Sequence, residues 1–328
     1  MEKKKKIITV GSLFAGCGGM DLGFKQAGFK IVWANDNDHW ACETYRKNFG
    51  SHIVEGDVAK LNFDELKKCD VILGGFPCQD FSMISKRRGL KTERGNLYRY
   101  FVQSVASRKP KVFVAENVKG LLYSNGGKAI DQIKSDFAKV GYRIQTHLVN
   151  FANYGAPQLR ERVLIIGTRA DLKIEFVMPK QTHDMKNWVT AKEALRDVEN
   201  AKYNNEPIGI RNETIEKLKL IRPGGNFSDV PKDSPYYTKG MISHVYRRLH
   251  PDRPSMTVIA GGGGGTWGYH YSEPRPLTNR ERARLFGYPD DFEFLGSHIE
   301  VRRQIGNSVP PVAIKVVAKA INHFLKRT

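Results

Sequence analysis

Apolar and polar positions follow two rhythms along the first 170 residues. Short apolar runs at 7–14, 31–34, 71–73, 112–115, 143–149 and 162–167 read as strands. Between them apolar residues recur at three- and four-residue spacing, beginning with Met20, Phe24 and Ala27, which predicts helix. Strands alternating with helices predict a doubly wound α/β architecture around a mostly parallel sheet. From about residue 185 the rhythm weakens. Positions 185–260 are polar and rich in Asn, Pro and Tyr, and five consecutive glycines follow at 261–265. Helical spacing returns at Ala313, Val317, Ala320, Ile321 and Phe324, predicting an amphipathic C-terminal helix that packs back on the sheet. The pattern divides the chain into a larger domain at 1–184, completed by a helix at 305–328, and a smaller one at 185–304.

Charge narrows the class of partner. The 328 residues carry 53 Lys and Arg against 34 Asp and Glu, a formal net charge of +19. A chain this basic points to a polyanion, with nucleic acid first among them. No eighteen-residue apolar run is present and positions 1–6 are charged, so neither a membrane span nor a secretory signal is expected. The four cysteines, Cys17, Cys42, Cys69 and Cys78, include no CxxC pair. That argues against a disulfide framework and a structural zinc site, and for a reducing cytoplasmic setting with no metal.

Two segments carry candidate chemistry. Phe14-Ala15-Gly16-Cys17-Gly18-Gly19 lies between a strand and a helix, as a nucleotide-binding turn does, and its glycines allow close backbone approach. Asp36 follows Gly16 by 20 positions, where an acidic residue holds ribose hydroxyls. Asp57 follows a third strand and could hold an adenine amino group. The turn departs from GxGxxG, which weakens a dehydrogenase reading. The second segment is Gly75-Phe76-Pro77-Cys78-Gln79. Pro77 stiffens the turn after a buried strand and aims Cys78 into the cleft, where a thiolate is favoured near cations and helix N-termini. Cys17, Cys42 and Cys69 read as packing residues.

The turn at 14–19, Pro77-Cys78-Gln79, Glu116-Asn117-Val118, Gln158-Leu159-Arg160-Glu161-Arg162 and Gly306-Asn307-Ser308-Val309 occur in the order found in the cytosine-5 DNA methyltransferase family. The chain resembles a compact bacterial restriction–modification member over everything except about 185–255. The resemblance implies Cys78 as a nucleophile that adds to carbon 6 of cytosine, making carbon 5 able to take a methyl group. It implies that Glu116 holds ring N3 and the exocyclic amine, and that Arg160 and Arg162 reach the target base. It implies S-adenosyl-L-methionine as cofactor, bound through Phe14, Ala15, Gly16, Gly18, Gly19, Asp36, Asp57, Pro77, Leu97, Asn307 and Ser308. Asn37 stands where the family often has a large apolar residue on the adenine, and Trp33 is a candidate replacement.

Carbon 6 is shielded inside a duplex, so the implied substrate is a base flipped out of double-stranded DNA. The basic segment 79–96, with Ser85, Arg87 and Arg88, reads as a loop that closes on phosphates. Sequence reading falls to 185–304, with Arg222, Lys239, Arg247 and Arg248 as candidates. A cognate endonuclease acting on the same site, without direct contact, and a monomeric state are expected. An RNA cytosine-5 methyltransferase is the alternative, although the Cys-Phe-Thr signature of the tRNA-methylating relative is missing.

Overall fold

The computed structural model describes residues 7–76, 97–241, 245–261, 266 and 268–328. The expectations placed on Pro77, Cys78, Ser85, Arg87 and Arg88, and on the loop 79–96, lie outside the described residues.

Seven strands form one sheet: β1 Thr9–Leu13, β2 Lys30–Asp36, β3 Ile53–Glu55, β4 Val71–Gly74, β5 Val112–Val118, β6 Tyr142–Asn150 and β7 Glu161–Arg169. Their order is β3-β2-β1-β4-β5-β7-β6. β1 to β5 are mutually parallel, and β7 runs against both β5 and β6. Among the described residues, the first four α-helices are α1 Gly19–Gln26, α2 His39–Phe49, α3 Leu97–Arg108 and α4 Lys128–Lys139. Trp33 of β2 joins a core cluster lined by α3 and α4, while its neighbour Ala34 joins another with Cys42 and Tyr45 of α2. Successive strand residues face opposite ways, so helices cover both faces. The predicted doubly wound, mostly parallel sheet is the observed one.

Packing divides the chain into two compact units. One comprises Met1–Asn150, Glu161–Lys180 and Ala313–Thr328; the other comprises Phe151–Arg160 and Gln181–Val312. These seams differ from the division read from the sequence pattern. The helix expected over 305–328 is in fact two helices, α8 His298–Asn307 and α9 Pro311–Leu325. Pro310 and Pro311 cannot donate the backbone bonds that would continue α8, and Pro311 instead opens α9. Within the sheet unit, α9 buries Ala313, Ile314, Val317, Ala318 and Ile321, and Asn322 Nδ2 donates to the Ala27 carbonyl at 3.1 Å.

The second unit holds α5 Ala191–Ala194, α6 Asn212–Lys219, α7 Asn279–Leu285 and α8. Small apolar clusters among its described residues support it. One gathers Ala191, Leu195, Val198, Leu249, Leu277 and Leu285. Another gathers Leu218, Ile221, Phe227, Val230 and Tyr269. Among its described residues, strand pairing is limited to isolated bridges such as Arg248 with Tyr269.

Gly167 of β7 pairs with Phe113 of β5, and a Cβ there would fall 2.0 Å from the Phe113 ring. Because the ring is buried among Phe101, Phe137 and Tyr142, it has little room to retreat. Gly167→Ala is expected to cost about 1–3 kcal/mol. Urea unfolding should show a lower midpoint at an unchanged slope.

Candidate active site

In an open parallel sheet, ligands bind beyond the carboxyl ends of the strands, where the strand order reverses. That reversal lies between β1 and β4. Leu13 of β1 pairs with Gly74 of β4, which pairs in turn with Ala115 of β5. The turn that begins at Phe14, the Gly75-Phe76 segment and the Glu116-Asn117 pair near the end of β5 therefore lie at one edge of three adjacent strands.

The glycine turn is built by backbone conformation. Phe14, Gly16 and Gly18 all have positive φ, at 55°, 55° and 90°. Beside Gly16 nothing lies within 4 Å of where a Cβ would stand, so the turn presents bare backbone to open space. At Gly18 a Cβ would strike the Phe49 ring at 2.4 Å. Ala15 is half-buried, its amide bonding the Asn35 carbonyl at 3.0 Å, and Gly19 is the first residue of α1. Asp36, the last residue of β2, accepts from the Gly16 amide at 2.7 Å and the Asp38 amide at 2.9 Å. Burial raises its pKa above the ordinary carboxylate value, while those two amides pull the other way. Asp57 is exposed, and its Oδ1 caps the Ala59 amide at 2.9 Å. Phe14 and Leu97 are half-buried against one apolar cluster. Trp33 is 4% exposed and its indole donates to the Lys67 carbonyl at 2.9 Å. It fills the core opposite Gly11, which removes it as a replacement for the adenine contact.

At the end of β5, Glu116 Oε1 lies 2.9 Å from Arg162 Nε, and both side chains are mostly buried. The strand register explains the meeting. Arg162 pairs with Val118, so it is the diagonal neighbour of Glu116 on the same face. Glu116 Oε2 lies 3.8 Å from the Cβ position of Gly75. Asn117 is buried, and its Nδ2 donates to the Phe76 carbonyl at 2.8 Å. Phe76 is also buried, packed against Tyr98 and Phe101. Cys78 follows Phe76 by two positions in the sequence. Burial pushes the Cys42 and Cys69 thiols up to about 12, consistent with inert packing.

The remaining expected residues lie in the second unit. Arg160 is buried there, with its guanidinium on three carbonyls: Val258 at 3.2 Å, Gly306 at 3.0 Å and Ser308 at 3.2 Å. Gly306 is needed, because a Cβ would fall 2.2 Å from the Ala260 nitrogen. Asn307 is exposed at the end of α8, while Ser308 is buried and bonded to Tyr288. Arg222 and Lys239 are exposed and Arg247 is half-buried. Arg248 departs from its expected part as a base reader. It is buried, and its guanidinium donates to the carbonyls of His270, Leu218, Ile221 and Tyr271.

Residues 8–323 match the C-5 cytosine-specific DNA methylase family. The chain belongs to that family. It is 58% identical to the Type II methyltransferase M.NgoFVII of Neisseria gonorrhoeae, over 98% of this chain and 87% of that protein. It is 43% identical to M.BbvI of Brevibacillus brevis, over 95% and 90%. A prophage-encoded E. coli protein named as a DNA modification methyltransferase superposes with a TM-score of 0.78 at 25% identity, covering 97% of this chain and 99% of that one. The S. pombe Dnmt2 methyltransferase superposes at 0.69 with 18% identity, over 98% and 99%, which shows the fold alone.

The cofactor of this methylase is S-adenosyl-L-methionine. The residues present suit it: an open backbone cradle at Gly16, with the carboxylates of Asp36 at the end of β2 and Asp57 just after the adjacent parallel strand β3. No described helix of the methylase is long and apolar enough to cross a membrane.

Two residues that shape this edge have no role in the sequence reading. Asn117 is one; its position beside the motif glutamate was a usable signal. Asp21 is the other. It is fully buried behind the glycine turn and accepts from Ser12 Oγ and Tyr45 Oη, both at 2.9 Å. Tyr45 also touches His52 Nε2 at 3.4 Å. Three- and four-residue apolar spacing gives no hint of a buried carboxylate at this position.

Burial raises the Asp21 pKa to about 6, against the bonds from Tyr45 and Ser12. The folded chain thus holds this proton more tightly than the unfolded one, and stability falls as pH rises from about 4 to about 6. Asp21→Asn removes that dependence. The stability of the wild type relative to the variant should fall by about 2 kcal/mol between those limits, read by denaturant unfolding at both pH values. Asn117→Ala removes the bond to Phe76. It is expected to lower kcat by about ten- to a hundredfold through misplacement of the following segment, with little change in cofactor KM, in a steady-state methyl-transfer assay.

Proposed function

We propose that this chain is the modification enzyme of a Type II restriction–modification system, methylating carbon 5 of one cytosine within a short specific sequence of double-stranded DNA. The observation that carries the reading is the Glu116–Arg162 pair at 2.9 Å, set beside the segment that leads to Cys78. The near full-length similarity to M.NgoFVII and M.BbvI supports the Type II setting. Action in the cytoplasm as a monomer, with a separate endonuclease recognising the same sequence, belongs to the same proposal.

The residues divide the work. Cys78 adds as thiolate to carbon 6 of the flipped base, breaking the C5=C6 double bond and loading electron density on carbon 5. Glu116 holds N3 and the exocyclic amine. A proton shared between its carboxyl and N3 moves to N3 as the thiolate adds, and returns when it leaves. Arg162 fixes the carboxyl through Oε1. Asn117 holds the Phe76 carbonyl and so steadies the approach to Pro77 and Cys78. Bound S-adenosyl-L-methionine supplies the methyl group. Phe14, Ala15, Gly16, Gly18, Gly19, Asp36, Asp57, Pro77, Leu97, Asn307 and Ser308 are its proposed contacts. Carbon 5 finally gives up its proton to solvent, and Cys78 departs as the double bond re-forms. Arg160 acts on this reading by holding the Gly306–Ser308 backbone that carries Asn307, in place of a direct contact with the base.

Expression in a host lacking cytosine methylation, followed by mapping of 5-methylcytosine on a resident plasmid, tests the proposal. The wild type should mark one short motif and Cys78→Ser should mark none. Soluble wild-type protein that leaves the plasmid unmarked would overturn the DNA reading and turn attention to RNA.

A further inference from the structure

Four basic residues of the second unit are candidates for reading base edges, and the structure separates them. Arg248 is consumed by four backbone carbonyls. Lys239 is a single charge on an exposed stretch beside Gly240, which suits a phosphate. Arg247 is half-buried. Arg222 alone of the four combines a largely exposed guanidinium with a rigid mount.

That mount is a tight turn at Arg222-Pro223-Gly224-Gly225. The Gly225 amide bonds the Arg222 carbonyl at 2.9 Å, and the Gly224 amide bonds the Leu249 carbonyl at 2.8 Å. Buried Arg248 grips the Ile221 carbonyl at 2.7 Å, one residue before the turn, and its own amide bonds the Gly225 carbonyl at 3.0 Å. A side chain at Gly225 would displace Asp229, because a Cβ would fall 1.8 Å from Asp229 Oδ2 and 3.0 Å from the Arg222 carbonyl oxygen. That oxygen is buried, makes no hydrogen bond, and lies 3.5 Å from Arg222 Nε. The Arg222 side chain is otherwise 81% exposed. A carboxylate oxygen thus faces the Nε edge, while most of the rest of the side chain stands in solvent. The fork of an arginine guanidinium matches the O6 and N7 acceptors of guanine, and holding it in place beforehand lowers the ordering cost of contact.

We propose that Arg222 is a specificity-determining residue, pairing through its two Nη groups with the O6 and N7 of one guanine in the recognised sequence. The inference rests on the DNA-methylation reading above. Asp229 orients the fork and the turn sets its height.

The test maps the 5-methylcytosine motif in a host without cytosine methylation for the wild type, Arg222→Ala, Arg222→Lys and Asp229→Asn. The wild-type motif carries the methyltransferase assignment by itself, and a change in the motif carries Arg222. In R222A, discrimination at one guanine position should fall about ten- to a hundredfold, with the rest of the motif intact. R222K, which keeps the charge but not the fork, should relax the same position, and D229N should relax it less. An unchanged motif with evenly weakened methylation would make Arg222 a phosphate contact and overturn the proposal, as would an unchanged motif and rate. If R222A fails to accumulate, purified wild type and R222K are compared on duplexes with 7-deazaguanine at each motif guanine in turn. A penalty at one guanine in the wild type that disappears in R222K supports the pairing. An equal penalty in both proteins contradicts it.

Discussion

Arg162 reaches Glu116 because β7 runs against β5. In that antiparallel pairing the first residues of β7 meet the last residues of β5, and the register sets Arg162 opposite Val118, diagonal to Glu116. A parallel strand in the same place would bring its far end to this edge. The rest of the site hangs on the same edge. Gly75 lies against the Glu116 carboxyl, and Asn117, next in the strand, ties down Phe76. The glycine turn adjoins because β1 pairs with β4 just before both chains leave the sheet. The inserted antiparallel strand thus supplies a cation to the Glu116 carboxylate within an otherwise parallel scaffold.

The second unit solves a different problem. With few regular elements, it has many carbonyls to satisfy without strand ladders. Buried arginines do much of this. Arg160 and Arg248 donate to three and four carbonyls, and Arg280 to those of Tyr203, Pro289 and Phe292. A guanidinium carries five donors in a plane, so one side chain can join several loop segments. Part of the +19 charge is therefore internal framework, and the basic surface offered to DNA is smaller than the composition suggests.

This distinction explains what the sequence made legible. Strands at 71–73 and 112–115 and the turn at 14–19 were readable, because buried parallel strands are continuous apolar runs and positive φ favours glycine. Glu116 and Arg162 were readable as motif residues, although their meeting depends on strand register across long sequence separation. Arg248 was misplaced because an arginine stapling carbonyls and an arginine facing DNA look alike in sequence. Asp21 was missed because Ser12 and Tyr45, which make its burial tolerable, come from separate elements. The break between α8 and α9 was marked by Pro310-Pro311 but hidden by the apolar spacing beyond it.

The most direct test of the account is hydrogen exchange at carbon 5. Thiolate addition at carbon 6 makes that carbon nucleophilic, so tritium placed there should escape to water even without methyl transfer. Tritium release from duplex DNA bearing the motif is compared for wild type and Glu116→Gln, alongside cofactor and DNA affinities. The variant is expected to bind both ligands within severalfold of wild type but to lose exchange and methylation together. Exchange and methylation at wild-type rates in the variant would contradict this mechanism.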